Sequence, residues 1–142
     1  MGQGDALGRG VLSTYVLDTT VLIAHLRGDE DVMPLLLGLV AKGHTLATTC
    51  VNVAEVEAGL RPSERRRAEA ILTRLRFLST DVAAARRAGL YQAEWAKRGR
   101  TIHTPDALVA GTARTHGAVV VTDNVDDFPM RDLRVEPMPE SL

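Results

Sequence analysis

Five consecutive residues, Ala118-Val119-Val120-Val121-Thr122, carry no charge and hold three valines in a row, between Gly117 and Asp123. A run this short, β-branched and bounded by turn residues reads as a strand. Apolar side chains at every position leave neither face for water, so the strand must be covered on both sides, as in a parallel sheet. Tyr15-Val16-Leu17-Asp18 and Thr45 to Cys50 have the same character, and Phe77-Leu78-Ser79 and Leu133-Arg134-Val135-Glu136 are shorter candidates.

Helical patterns fill the intervals. Thr19–Arg27 places Leu22, Ile23 and Leu26 on one side, and a turn at Gly28–Asp31 leads into a second helix ending at Gly43. Asn52 is expected to cap a helix carrying Val53, Val56 and Leu60, and Pro62-Ser63 to open the next. Asp81–Arg98 is a long helix closed by Gly99. Thr104 is expected as an N-cap with Pro105 at the first helical position, that helix ending near His116-Gly117. Strands alternating with helices predict an α/β domain around a mainly parallel sheet.

The 142 residues suit one domain. We expect the domain over 14–137, a Gly-rich N-terminal tail over 1–13 and a short C-terminal tail over 138–142. Hydrophobic residues at 45% and charged residues at 25% describe a globular chain rather than a disordered one. No apolar run is long enough for a membrane span, and the start lacks the pattern of a secretory signal. Cys50 is the single cysteine, which excludes an intrachain disulfide and a thiolate zinc cluster. A cytoplasmic location is the expectation.

In open parallel sheets, sites form beyond the carboxyl ends of the strands. Asp18 ends the first strand, Glu55 lies early in the helix after the second, Asp106 lies in the first turn of the Thr104–His116 helix, and Asp123, Asp126 and Asp127 follow the Val119–Thr122 strand. Each acid alone has an ordinary explanation: Asp18 as a helix cap, Asp106 as a partner of the helix dipole, Glu55 as a surface charge, Asp126 and Asp127 as turn residues. Together they form a set of carboxylates that repel one another unless a cation intervenes. Hard oxygen ligands with retained water suit Mg²⁺ or Mn²⁺. Such an ion activates water and clamps phosphate, which is the chemistry of phosphodiester hydrolysis.

Four ordered segments carry a resemblance: Val16–Ile23 (VLDTTVLI), Asn52–Leu60 (NVAEVEAGL), Thr104–Ala113 (TPDALVAGTA) and Val121–Phe128 (VTDNVDDF). They resemble the signatures of PIN domains, with the nearest likeness to the VapC-type toxins of bacterial toxin–antitoxin systems. The likeness covers roughly 14–137. It implies a three-layer PIN-like fold with a sheet of about five strands. It also implies a Mg²⁺-dependent endoribonuclease, commonly acting on tRNA or rRNA, Mn²⁺ substituting for Mg²⁺. A homodimer and inhibition by a small cognate antitoxin protein are implied as well. Asp18, Glu55 and Asp106 match the first three acids. The fourth is Asp127 or Asp123, with Asp127 slightly ahead because it directly precedes Phe128. Asp18 and Asp106 are the expected metal ligands, and Glu55 and the fourth acid act directly or through water.

Other residues carry less. Thr20 and Thr122 are able to orient carboxylates but equally suit local caps. His25, His44, His103 and His116 have no ligand spacing and read as surface or satisfied histidines, with His103, close before Asp106, the one substrate-contact candidate among them. Tyr91 and Trp95, four apart, read as packing residues. Residues 61–100 hold eleven cations against four acids, a net +7 that leaves −8 for the rest of the chain. Arg65, Arg66, Arg67, Arg74, Arg76, Arg86 and Arg87 are thus candidates to line an RNA approach, or else to pair with Glu64, Glu69 and an acidic antitoxin. Two alternatives remain. One is a catalytically inactive PIN-like binding module. The other is a haloacid-dehalogenase-like phosphatase, disfavoured because Thr20 stands where a second Asp is required.

Overall fold

The computed structural model describes residues 11–138. Most of the expected N-terminal tail and nearly all of the C-terminal tail therefore lie outside the described residues. The described elements run β1 (Thr14–Leu17), α1 (Thr19–Leu26), α2 (Val32–Ala41), β2 (Thr45–Thr49), α3 (Cys50–Ala58), a 3-10 turn (Pro62–Glu64), α4 (Arg65–Leu72), β3 (Arg76–Leu78), α5 (Val82–Ala96), α6 (Thr104–Thr115), β4 (Val119–Thr122), a second 3-10 turn (Val125–Asp127) and β5 (Val135–Pro137).

The strands form one five-stranded sheet in the order β3-β2-β1-β4-β5. Every pairing is parallel, with Leu17 opposite Val121 and Val16 opposite both Ala47 and Val120. Side-chain alternation divides the core. Val16, Ala47, Leu78 and Val120 face α5 and α6, together with Ala88, Tyr91, Val109 and Phe128. Tyr15, Leu17, Val119 and Val121 face the other way, against Leu22, Leu26, Val32, Leu36 and Val56. Helices cover both faces, which is why β4 carries no charge and is buried throughout.

Helices α5 and α6 pack closely at Gly111. A Cβ added there would lie 2.4 Å from the Ala84 carbonyl oxygen and 3.0 Å from the Ala88 nitrogen, so only glycine fits. At Gly117, φ of 66° ends α6 in the left-handed region that glycine enters without steric cost.

Two expected caps move. Asn52 does not cap α3: Thr49 does, accepting the Asn52 N–H through its hydroxyl while Asn52 Oδ1 accepts the Thr49 N–H. The β-strand delivers Thr49 in extended conformation at the turn, and Asn52 serves as the reciprocal partner three residues on. Thr104 likewise is inside α6, because the Ala107 N–H donates to the His103 carbonyl and makes His103 the N-cap. The Thr104 hydroxyl instead accepts from Gln92 Nε2 of α5 at 3.1 Å. The last strand is shifted to Val135–Pro137, and beyond it the Met138 N–H still donates to Thr122 O.

Candidate active site

The strand order locates a site. From β1 the chain steps outward to β2 and β3, then returns to lay β4 on the other side of β1. The two flanking connections leave the sheet in opposite directions there, opening a crevice at the carboxyl ends of β1 and β4. Asp18 lies at that point. Its N–H donates to Val121 O of β4 at 2.9 Å, and its carboxylate accepts the Thr122 hydroxyl at 2.8 Å. Thr122 in turn accepts the Asn124 N–H at 3.0 Å, which fixes the chain as it leaves β4. Thr122 therefore orients a carboxylate, whereas Thr20 accepts the Asp123 N–H and ties the loop after β4 to α1.

Glu55 is aimed by a network that runs through α3 and α1. The Thr19 hydroxyl donates to Glu55 Oε1 at 2.6 Å and accepts from Asn52 Nδ2 at 3.1 Å. Asn52 is fully buried, and its Oδ1 also accepts the Thr49 hydroxyl at 2.7 Å. Each polar group of the buried Asn52 side chain thus has a partner, as burial requires. Thr19 and Asn52 were not singled out as site residues by sequence. The pairs they form are 33 and 36 residues apart. Only the placement of Thr19 directly after Asp18 hinted at a role.

Asp106 occupies the first turn of α6, where the helix dipole favours its charge. The opposing influences are stronger. Burial, followed by the charges of Asp127, Asp18 and Glu55, pushes its pKa to about 6, offset only in part by nearby His103. Burial also raises the pKa of Asp18, against the hydrogen bonds from Thr122 and the Thr19 N–H, and Glu55 and Asp127 raise it further. The four acids thus share one electrostatic environment. Of the three acids that follow β4, Asp127 is the one whose charge registers at both Asp18 and Asp106. Asp123 and Asp126 are not among the charges that raise either, although all three acids are exposed. Asp127 ends the 3-10 turn, whose register is anchored by the buried Phe128.

No ion pair among the described residues involves Asp18, Glu55, Asp106 or Asp127. Clustered carboxylates without an ion-pair partner, with Asp18 and Asp106 raised in proton affinity, are a donor set that a divalent cation would relieve. Among the described residues no three acidic, His or Cys side chains form a ready-made metal cage.

The arginines expected to line the approach are largely engaged elsewhere. Arg65 is bonded to Glu57, Arg67 Nη2 donates to His25 O, and Arg87 faces Asp132. Glu64 is paired, but with Arg27 of the α1 end at 3.0 Å. Arg67, Arg74 and Arg76 line a groove of about 890 Å³ between α2 and α4, together with Leu36, Ile71 and Leu75. Met33, Leu37 and Val40 of the same groove are 40%, 60% and 54% exposed. Tyr91 packs in the core with its hydroxyl on Asp132, and Trp95 packs partly against it.

Comparison with known proteins gives these geometries a family. The PIN domain model matches residues 15–132. The chain belongs to the PIN-domain family. Ribonuclease VapC10 of Mycobacterium tuberculosis is 35% identical over 115 residues, covering 81% of this chain and 86% of that protein. Ribonuclease VapC19 of the same organism is 32% identical over 115 residues, covering 81% of this chain and 92% of the relative. Among solved structures, VapBC2 from Rickettsia felis bound to a promoter DNA fragment superposes with a TM-score of 0.80 at 23% identity, covering 89% of this chain and 99% of that one. DNA-bound VapBC from Salmonella typhimurium gives 0.76 at 26% identity, covering 91% and 100%. The all-parallel five-stranded sheet with helices on both faces is thus the PIN fold.

Proposed function

We infer that this PIN domain is a metal-dependent endoribonuclease, the toxin of a toxin–antitoxin pair, and that it hydrolyses phosphodiester bonds in RNA. The observation that carries the reading is the convergence of acids from four separate chain segments on the switch point between β1 and β4, without a basic partner. A phosphatase of the haloacid-dehalogenase kind is not supported, since Thr20 caps a backbone N–H where that chemistry needs a second Asp.

Asp18 and Asp106 are assigned as the metal ligands, Asp127 as the fourth acid and Glu55 as the group that orients the attacking water. The assigned ion is Mg²⁺, with Mn²⁺ as a substitute. Bound there, it would supply Lewis acidity at a phosphate oxygen and lower the pKa of a coordinated water. Thr122 holds Asp18 in one rotamer, so its free oxygen is aimed before substrate arrives. Thr19 occupies one oxygen of Glu55 and leaves the other to accept a proton or hold water. Burial of Asp18 keeps bulk water from competing for the ligand set.

The α2–α4 groove is the surface we assign to the antitoxin. Exposed Met33, Leu37 and Val40 offer an apolar floor, and Arg67, Arg74 and Arg76 offer a cationic rim to a partner helix with acidic flanks. Homodimerisation is proposed through the β3–α5 edge, where Phe77, Val82 and Leu90 are exposed. A cytoplasmic location belongs to this reading. Among the described residues no helix is long and apolar enough to cross a membrane.

The deciding experiment compares purified parent and Asp18→Asn proteins on labelled RNA with Mg²⁺, and with EDTA. The parent should cleave only with the metal, and Asp18→Asn should lose at least ~10²-fold in rate with unchanged circular dichroism. Equal cleavage by the two proteins would remove the site.

A further inference from the structure

An acidic cleft repels the phosphates of its own substrate, and the positive charge able to offset this must stand beside the cleft. The structure places such charge on the connection between α5 and α6. Residues 97–103 hold Lys97, Arg98, Arg100 and His103 and no acid. Arg98 lies over the Trp95 ring with its guanidinium carbon 4.7 Å from the centroid, and Arg100 approaches the same ring at 5.9 Å. Arg100 also donates from Nη2 to the carbonyl of Asp126, in the turn that presents Asp127. At the other end of the connection, the charge of His103 is felt by Asp106. This segment therefore touches the Asp127 turn at one end and acts on Asp106 through charge at the other.

What sets these cations apart is their seat on Trp95 and beside the turn that presents Asp127. Arg65, Arg87 and Arg114 each face a carboxylate, whereas Lys97, Arg98 and Arg100 form no ion pair among the described residues, and all three are exposed. The indole restrains two long side chains in advance, which lowers the entropy lost when they close on a ligand. Planar guanidinium forks match phosphate oxygens in pairs.

We propose that Arg98 and Arg100, seated on Trp95 beside the Asp127 turn, grip the backbone phosphates of single-stranded RNA next to the scissile bond. The proposal rests on the ribonuclease reading and names the surface by which that site holds its substrate. An occupant made of protein is disfavoured because this segment exposes charge rather than an apolar groove; its one large apolar residue, Ile102, is buried.

The test uses full-length Asp18→Asn protein, inactive but charge-competent, and a fluorescein-labelled single-stranded RNA oligomer read by anisotropy at four salt concentrations. Arg98→Gln/Arg100→Gln should weaken binding by on the order of tenfold and make the logarithmic salt slope shallower by about 1.4 for two lost phosphate contacts. Arg98→Gln alone, which leaves the Asp126 contact in place, should give about half that change in slope. Arg66→Gln/Arg86→Gln removes the same charge from α4 and α5 and should leave affinity and slope close to the parent values. Unchanged binding by the Arg98/Arg100 variant, or an equal loss in the Arg66/Arg86 variant, overturns the proposal. If the active parent cleaves RNA while the Arg98/Arg100 change is silent, the ribonuclease reading stands and only the grip falls. Failure of the parent both to bind and to cleave RNA overturns the two together.

Discussion

At the scale of single residues, the site is governed by where carboxylates are held and what they can discharge onto. Asp106 illustrates the tension. In free peptide its pKa would be near 3.8, and in the fold it is pushed to about 6. A carboxyl whose folded pKa is raised binds protons more readily folded than unfolded, so its contribution favours the fold at low pH. That contribution is complete below the unfolded value and is lost as pH rises through the folded one. Metal-free protein in EDTA should therefore lose stability between about pH 4 and pH 6, relative to Asp106→Asn, which cannot titrate. Urea midpoints for the two proteins across this range would show it, and parallel pH profiles would contradict it. Added Mg²⁺ should restore stability preferentially to the parent, since binding to the native state alone stabilises it.

The elements are joined by contacts that leave little tolerance. The Thr49–Asn52–Thr19–Glu55 chain ties the start of α3 to the start of α1. Replacing Asn52 by Ala strands the Thr49 N–H and hydroxyl in a buried place, at a cost of about 1–3 kcal/mol. A thermal scan should show this loss. RNA cleavage at a temperature where the variant remains folded should also fall, because Thr19 loses the group that holds it. The α5–α6 contact is stricter. Gly111→Ala brings a methyl against the backbone of Ala84 and Ala88 rather than against a movable side chain. Overpacking of this kind costs about 1–3 kcal/mol or more, so denaturant midpoints should fall. The catalytic acids need not move for this, and a variant as stable as the parent would show that the helices separate freely.

For the molecule as a whole, two surfaces of opposite character divide the work. The acid cluster sits at the carboxyl ends of β1 and β4, while the groove between α2 and α4 combines exposed aliphatic side chains with an arginine rim. Leu37→Glu sets a negative charge in the middle of that floor. It should abolish co-purification with the cognate antitoxin and leave RNA cleavage unaltered, so that growth arrest persists when both proteins are expressed. Retained co-purification would place the antitoxin elsewhere. Arg67, Arg74 and Arg76 of the arginine-rich segment line that groove. Charge counting registers neither Arg65 bonded to Glu57 nor Arg98 stacked on Trp95.

Local chemistry determined much of this protein before any folding was considered. The uninterrupted apolar run of β4 demanded cover on both faces and so a parallel sheet, and the acids that follow strands or open helices were legible as a set, because these depend on side chains close together in sequence. The choice between Asp123 and Asp127 was not legible in that way. It depends on which charge reaches Asp18 and Asp106, roughly 110 and 20 residues away along the chain, and Asp127 at the end of the 3-10 turn is the one that registers at both. Nor were the caps at Thr49 and His103 legible, since one residue of slip in a helix start is settled by which carbonyl each N–H finds. The strand order was the decisive contribution of tertiary structure. Nothing in β4 itself says that it returns to lie beside β1, yet that return opens the crevice, brings the Thr122 hydroxyl to Asp18 across 104 residues and sets four scattered acids within reach of one another's charge. Local sequence selects the elements, and long-range burial of two apolar sheet faces selects their neighbours.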